Sequence, residues 1–184
     1  MTGDLFGPGI AGLAFAVDFV SPQEEQALIA AINAAPLEPF RFQGWTGKRL
    51  TTSYGWRYDF EDSRFAETEP LPGWLLPIRA RAAAFAGLRP DELPHALLIR
   101  YDPGAGIGWH RDRPVFEHVV GISLGAPDTM RFRRRSGTRF ERHSMTLEPR
   151  AAYHLSGPAR WEWEHSISAA ERTRWSITFR SLRS

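Results

Sequence analysis

The stretch RWSITFR, residues 174–180, alternates polar and apolar side chains along its whole length. Because side chains i and i+2 of a strand point to the same face, this pattern predicts a β-strand with two different faces. The apolar face consists of Trp175, Ile177 and Phe179, and the polar face of Arg174, Ser176, Thr178 and Arg180. Such a strand packs its apolar face into a core and leaves its polar face to solvent or to a ligand.

The chain before this strand has the same character back to Pro94. Short runs rich in β-branched and aromatic residues are separated by turns that contain Pro, Gly and Asp. The runs are His95–Tyr101, Glu117–Leu124, Thr129–Arg135, His143–Leu147 and Ala151–Leu155, followed by Arg174–Leu182. Many short strands at a spacing of about ten residues favour a β-sandwich or jelly roll over parallel βαβ units.

The first half of the chain is predicted to mix helices with strands, which makes the fold class mainly β with α+β character. Leu13–Phe19 indicates a short strand. Ser21-Pro22-Gln23-Glu24 is typical of a capped helix start, and apolar positions at helical spacing continue that helix to about Ala35. A second helix is predicted over Gly73–Ala86, between a proline and a glycine.

The composition suits one domain with a substantial core. The chain has 184 residues, 42% of them hydrophobic, which is enough for one domain and hardly enough for two. It contains no cysteine, which excludes disulfides, zinc ribbons and thiol catalysis. The N-terminal residues lack the pattern of a signal peptide, and the apolar stretches are too short to span a bilayer. We therefore expect a cytoplasmic monomer without membrane association.

Arginine supplies 22 of the 23 cationic residues, and Lys48 is the one lysine. Codon usage in a GC-rich genome explains such a bias, and so does a demand for bidentate contacts with phosphate or carboxylate. Arginines are densest from Arg131 to Arg142. This segment either follows a nucleic-acid backbone or forms the solvated face of a hairpin, and charge alone does not distinguish the two.

Three residues of separate segments have the types and spacing of a metal site. Of the six histidines, only His110 is followed two residues later by a carboxylate, that of Asp112. If the segment is a strand, these two side chains point to the same face. His165 lies 53 residues after Asp112, far enough for intervening strands to bring it back. Two histidines and one carboxylate form the facial triad that leaves positions open on iron(II). A His-x-Asp by itself occurs often in turns, so the triad needs support from elsewhere in the sequence.

The polar face of residues 174–180 provides that support. Arg174 and Arg180 lie roughly 20 Å apart along the strand, and their long side chains could hold the two carboxylates of a small dicarboxylate between them. Guanidinium groups suit carboxylates because they are planar and permanently charged. The alternative is an edge strand whose basic residues face solvent.

Three motifs in this order resemble the AlkB family of iron(II)- and 2-oxoglutarate-dependent dioxygenases. The first is Ile99–Asp112, where a Tyr-x-Pro-Gly turn precedes His-x-Asp. The second is Leu155–Arg160, ahead of His165, and the third is Arg174–Arg180, with an arginine at each end. Together the motifs cover residues 94–184.

The resemblance implies a double-stranded β-helix, or jelly roll, as the oxygenase core in residues 94–184 of a single domain, 1–184. Residues 1–93 would supply the N-terminal helices and a substrate lid, with Lys48–Tyr58 as the nearest counterpart of the lid. His110, Asp112 and His165 would bind Fe(II). Tyr101, Arg174, Ser176 and Arg180 would bind 2-oxoglutarate as cosubstrate.

The same resemblance implies oxidative demethylation of N-alkylated bases, with release of succinate, CO₂ and formaldehyde. The partner would be alkylated single-stranded DNA or RNA, and Tyr54, Trp56, Tyr58 and Arg131 are the candidate substrate-binding residues. The segment that holds these tyrosines, Phe42–Phe60, also suits a plain surface hairpin with half-buried aromatic residues.

Three positions differ from the DNA-repair members of the AlkB family, so the resemblance does not determine the substrate. Ile99 and Ser176 stand where those enzymes have asparagine, and Pro114 stands where they have an acid that helps to recognise the base. The metal and arginine positions are intact. The alternatives are the same chemistry on a methylated protein side chain or a small molecule, and a non-catalytic jelly-roll binding module.

Overall fold

The structure, a computed structural model, describes residues 9–42, 45–59 and 62–184. Its strands are β1 (Leu13–Ala16), β2 (Glu38–Phe42), β3 (Trp45–Tyr54), β4 (Trp56–Asp59), β5 (Arg64–Glu67), β6 (His95–Tyr101), β7 (Ile107–His110), β8 (Phe116–Gly125), β9 (Asp128–Ser136), β10 (Arg139–Leu147), β11 (Ala152–Leu155), β12 (Glu164–Ile167) and β13 (Arg174–Leu182). The α-helices are α1 (Pro22–Ala34), α2 (Leu76–Ala86) and α3 (Gly157–Trp161). Within the predicted segment Phe42–Phe60, the residues Gln43, Gly44 and Phe60 lie outside the described residues.

The strands form two antiparallel sheets that enclose the centre of the molecule. The larger sheet has seven strands in the order β1-β11-β8-β13-β6-β3-β2, and the smaller has four in the order β10-β9-β12-β7. Strands β4 and β5 form a separate two-stranded hairpin. This arrangement of antiparallel strands confirms the predicted jelly roll and excludes a parallel βαβ fold.

The outer face of the larger sheet is covered by helices. Residues of α1 and α2, such as Ile32 and Ile78, pack with Leu98, Ile177 and Phe179 in one buried cluster. The apolar face predicted for residues 174–180 is therefore the helix-covered face. Its polar face points between the two sheets, so the alternative of an edge strand with solvent-facing arginines is wrong: β13 lies between β8 and β6, and Arg174 is buried.

The predicted helices are present with the expected ends. Ser21 caps α1, because its hydroxyl accepts a hydrogen bond from Glu24 N and the Glu24 carboxylate accepts one from Ser21 N. The second predicted helix begins as a 3₁₀ turn at Gly73–Leu75 before α2 starts. Gly87 ends α2 in the left-handed conformation, at φ 72°.

Two strand boundaries differ from the prediction by three or more residues, and the short strand β12 was not predicted. β1 ends at Ala16 instead of Phe19, because Asp18 adopts a positive φ of 50° that interrupts an extended chain. β10 begins at Arg139 instead of His143, since its charged first half pairs with β9 in a hairpin. β12 was not predicted, because four residues are too short to show a strand pattern.

The first half of the chain contributes strands to the larger sheet as well as helices. Its strands β1, β2 and β3 belong to the seven-stranded sheet, where β3 pairs with β6 and β1 pairs with β11. As a result, the segment Lys48–Tyr58 is divided between the main sheet and the β4–β5 hairpin. Residues of β3 consequently lie beside the strand that carries Tyr101.

Candidate metal and cosubstrate site

His110, Asp112 and His165 meet between the two sheets. One ligand atom from each lies within 4.8 Å of the other two. Asp112 Oδ1 is 3.5 Å from His110 Nε2 and 3.6 Å from His165 Nε2. The structure therefore brings together the three residues that the sequence proposed as a metal site. Two imidazoles and one carboxylate are the donor set that suits iron(II), so these residues fit that ion.

The reason for their convergence differs in part from the prediction. β7 ends at His110, so Asp112 follows the strand instead of occupying its same face two residues on. His165 reaches the site because β12 pairs with β7 and places His165 directly opposite His110. The unpredicted strand β12 is therefore what completes the triad.

The hydrogen bonding of His110 and the pKa values of His165 and Asp112 suit metal binding. His110 Nδ1 lies 2.8 Å from Gly108 O, and since a carbonyl can only accept, Nδ1 carries the proton and leaves Nε2 free as a ligand. Burial lowers the pKa of His165 to about 3, so this imidazole is neutral. Burial opposes ionisation of Asp112, but the charge of Arg180 outweighs it and holds the pKa of Asp112 well below its usual range.

Arg180 is the charged neighbour of the metal site. Its Nε donates a hydrogen bond of 2.6 Å to Asp112 Oδ2. The other carboxylate oxygen, Oδ1, is the one that faces the two histidines. Arg180 therefore fixes the orientation of Asp112 and leaves one oxygen toward the metal position.

Arg174 has unused hydrogen-bond donors inside the protein. The residue is 1% exposed, its Nη2 donates to Ser123 Oγ at 2.9 Å, and its Cζ lies 4.5 Å from the Tyr101 ring centroid. Its Nε and Nη1 have no partner among the described residues. A buried cation without a counter-ion is costly, so an anionic ligand is what Arg174 lacks. The carboxylate of a dicarboxylate such as 2-oxoglutarate fits this need.

A small internal cavity joins Arg174 to the metal site. Its walls include Tyr101, Ser176, Thr178 and the three metal-site residues, with Arg174 and Arg180 at its ends. The four cosubstrate residues proposed from the sequence, Tyr101, Arg174, Ser176 and Arg180, therefore line one cavity.

A larger cleft of about 1080 Å³ opens onto the same metal site from outside. His110, Asp112 and Arg180 border both the cleft and the internal cavity. Tyr54 and Tyr58, proposed for substrate binding, line this cleft. A substrate in the cleft would thus meet the metal site from a space that Arg174 does not line.

The other two proposed substrate residues lie elsewhere. Trp56 is not among the residues that line the cleft, and its ring stacks on Phe65 with centroids 4.8 Å apart. Arg131 lies on the outer face of the four-stranded sheet, where its Nε donates to Ser166 Oγ at 3.1 Å. Neither side chain belongs to the wall around the metal site.

The structure adds cleft residues that the sequence did not single out. Arg49 lies over the Phe40 ring at 3.9 Å, and burial lowers its pKa. His95 is 3% exposed, and burial holds the pKa of its imidazole well below the usual range, so it is neutral. His95 could have been found, because it shares a strand face with Tyr101 at even spacing. No comparable sequence pattern identified Arg49 as a cleft residue.

The comparisons with known proteins agree with this geometry. A sequence profile of the 2OG-Fe(II) oxygenase superfamily matches residues 12–180. The solved structure of OsALKBH1 superposes with a TM-score of 0.74 over 92% of this chain and 96% of that one, at 15% identity, which shows a shared fold. The chain therefore belongs to the 2OG-Fe(II) oxygenase superfamily, and within it to the AlkB family.

Its curated relatives are AlkB-type proteins of eukaryotes. The Xenopus tropicalis "tRNA (carboxymethyluridine(34)-5-O)-methyltransferase alkbh8" is 28% identical over 85% of this chain and 25% of its own length. The Arabidopsis thaliana "Alkylated DNA repair protein ALKBH8 homolog" is 30% identical over 86% of this chain and 51% of its own length. The Danio rerio "Probable RNA/DNA demethylase ALKBH6" is 30% identical over 64% of this chain and 48% of its own length. The chain thus spans from a quarter to about half of these relatives.

Membership of the 2OG-Fe(II) oxygenase superfamily implies Fe(II) and 2-oxoglutarate as the cofactors of this chain. When bound, they supply the oxidation of a substrate C–H bond by dioxygen, with release of succinate and CO₂. His110, Asp112 and His165 would hold the iron, and Arg174 would hold the distal carboxylate of the cosubstrate. Arg174 is 1% exposed, so the protein shields this end of the cavity from bulk water. Among the described residues, no helix has the length and apolar character needed to cross a membrane.

Proposed function

We propose that the protein oxidatively removes an alkyl group from a base of single-stranded RNA or DNA. The observation that carries the proposal is the metal triad at the inner end of a 1080 Å³ cleft with aromatic and basic walls. The cleft is large enough for a flipped nucleotide, since ligand pockets run from about 300 to 1,000 Å³. Oxidation of an N-methyl carbon yields a hydroxymethyl group that leaves as formaldehyde.

The walls of the cleft suit a nucleotide. Tyr54 and Tyr58 offer aromatic surfaces for stacking, and Arg57, Arg111 and Arg113 line the same space with positive charge. Arg113 lies over the Tyr58 ring, with its Cζ 4.3 Å from the centroid. These features support a substrate that combines a planar ring with an anionic backbone.

The outer face of the four-stranded sheet, here called the basic face, carries Arg131, Arg133, Arg135 and Arg142 beside Trp109 and Phe140. Arg133 is paired with Glu164 at 2.7 Å. Arg131, Arg135 and Arg142 have no carboxylate partner among the described residues. Trp109 also lines the cleft, so the basic face begins where the cleft ends. Phosphates that flank a bound base would lie against it.

The names of the relatives point the same way. They describe a tRNA methyltransferase, an alkylated-DNA repair homologue and an RNA/DNA demethylase. Each name belongs to a protein that is longer than the matching segment, and the substrate proposed for this chain therefore depends on its own cleft and basic face.

The test measures succinate formation by the Fe(II)-loaded protein with 2-oxoglutarate. Three substrates are compared: N-methylated single-stranded oligoribonucleotides, the same lesions in oligodeoxyribonucleotides, and methylated peptides. We expect stimulation, with formaldehyde in equal amount, by at least one of the oligonucleotides and none by the peptides. Stimulation by the peptides alone would support the alternative of a protein side chain as substrate. The Asp112→Ala variant is the control for residual turnover.

A binding experiment tests the basic face separately. We compare the salt dependence of oligonucleotide affinity between the native protein and an Arg131→Gln, Arg135→Gln, Arg142→Gln variant. Each lost phosphate contact should reduce the slope of log K against log salt by about 0.7. Arg89→Gln is the matched control, since Arg89 is an exposed arginine that pairs with Asp91 far from the cleft. Equal slopes in all three proteins would contradict a role for the basic face.

A further inference from the structure

Tyr153 occupies an unusual position on the inner face of the larger sheet. It lies on β11, directly opposite Gly121 of the neighbouring strand β8. A Cβ atom added to Gly121 would fall 2.5 Å from the Tyr153 hydroxyl oxygen. The phenol therefore lies across β8 in the space that any other residue at position 121 would fill.

The Tyr153 side chain extends toward the polar face of β13. On its other side Gly121 pairs with Thr178, so the ring extends from β11 toward that residue. Tyr153, Thr178 and Arg174 all line the internal cavity that leads to the metal site. The ring keeps some accessible surface because it borders this cavity, although it lies deep in the molecule.

The Tyr153 hydroxyl is a donor without a protein acceptor. Within the part of the chain that the structure describes, no residue forms a hydrogen bond with it. Burial raises the pKa of this phenol, so it keeps its proton at neutral pH and can only be used as a neutral donor or acceptor. Because Tyr153 lines the cavity, a ligand oxygen there would accept the hydrogen bond that no described residue accepts.

The opposite wall of the cavity explains why such a donor is useful. Ile99, which lines the cavity from β6 and pairs with Ser176 on β13, offers no hydrogen bond from its side chain. Arg174 supplies charge at one end of the cavity and Arg180 at the other. A neutral donor that reaches the centre from β11 complements both.

We propose that Tyr153 is a cosubstrate-binding residue whose hydroxyl donates a hydrogen bond to a carboxylate oxygen of bound 2-oxoglutarate. The phenol acts together with Arg174 and lies where Gly121 leaves space for it. This role concerns the cosubstrate and holds whichever substrate the cleft accepts.

The test uses calorimetry to measure the affinity of the Mn(II)-loaded protein for 2-oxoglutarate in the absence of oxygen. Tyr153→Phe removes one oxygen atom and should weaken the affinity about ten-fold, because a hydrogen bond to a charged group is lost. Mn(II) affinity and the thermal midpoint of the metal-free protein should not change. Tyr153→Leu should weaken binding at least as much.

Two outcomes would overturn the proposal. One is a Tyr153→Phe affinity within about two-fold of the native value, which is less than a lost hydrogen bond predicts. The other is equal weakening of Mn(II) and 2-oxoglutarate binding, which would show a general disturbance of the site. If Tyr153→Phe does not fold, Gly121→Ala serves instead, because its methyl group displaces the phenol, and native affinity in that variant would again overturn the role.

Discussion

Arg180 and Asp112 form the shortest ion pair at the site, with Arg180 Nε 2.6 Å from Asp112 Oδ2. The two residues come from the last strand and from the loop after β7, 68 positions apart in the chain. Arg180 thus orients a metal-site carboxylate that it does not neighbour in sequence. It also borders both the internal cavity and the substrate cleft. The closing strand β13 therefore has Arg174 in the internal cavity at one end and Arg180 beside Asp112 at the other.

Replacing Arg180 should weaken metal binding without unfolding the protein. In Arg180→Met, Asp112 loses the partner that orients it, and metal affinity should fall about ten-fold or more, as for other residues that hold a metal ligand in place. The measurement is a Mn(II) titration. Arg183→Met is the control, since Arg183 lies beside Trp161 and does not contact Asp112. Unchanged affinity in Arg180→Met would contradict the positioning role.

Replacing Asp112 should abolish turnover while the fold remains. Asp112→Ala removes one of three ligands, and a pair of histidines is a weak site for a divalent ion. Succinate formation in the presence of Fe(II) should fall to background. Far-ultraviolet circular dichroism should match that of the native protein. Retention of most of the activity would show that these three residues are not the iron site.

Replacing Arg174 should weaken the binding of the cosubstrate without lowering the stability of the protein. Arg174→Met removes the group that would hold the distal carboxylate, so the affinity for 2-oxoglutarate should fall more than about ten-fold. Because the variant also removes a buried cation with two unpaired nitrogens, the Tm of the protein without cosubstrate should stay equal or rise. A lower Tm together with native affinity would show that the residue is structural.

Replacing Tyr58 should affect substrate binding, whereas replacing Trp56, two residues before it, should affect stability. Tyr58 lines the cleft, so Tyr58→Leu should raise the KM for an oligonucleotide substrate, since base stacking contributes about 1–3 kcal/mol. Trp56 stacks on Phe65, so Trp56→Leu should lower the Tm and leave the KM nearly unchanged. Steady-state kinetics and thermal unfolding of both variants make the comparison. The reverse result would place Trp56 at the substrate.

His154, which is buried beside the half-buried His118, should make stability depend on pH. Burial and the neighbouring His118 lower the pKa of His154 to about 4, and His118 Nδ1 lies 2.9 Å from His154 Nε2. Between about pH 6.5 and pH 4 the unfolded chain binds a proton that the folded chain does not, so this contribution to stability is complete above pH 6.5 and is lost on acidification.

The measurement is the urea unfolding free energy of the metal-free protein from pH 7 to pH 4. His154→Gln should reduce the slope by at most about 1.4 kcal/mol per pH unit, the value for one proton. Parallel curves for the native protein and the variant would show that His154 titrates alike in both states.

The sequence by itself determined the face pattern of β13 and the capped start of α1, and it singled out the three residues that are proposed as the metal site. These depend on local spacing: alternation fixes which side chains share a strand face, and Ser21 with Glu24 satisfies the first backbone donors of a helix. The family resemblance also depends on local spacing, within the motif around His110 and between Arg174 and Arg180.

Tertiary structure decided what brings these residues together. β12 is four residues long and has no pattern of its own, yet its pairing with β7 sets His165 opposite His110. Tyr153 meets Gly121 because β11 and β8 pair in one register, and Trp56 stacks on Phe65 of the neighbouring strand instead of lining the cleft. Spacing along the chain does not determine the register between distant strands, because that register is fixed by packing across the whole sheet.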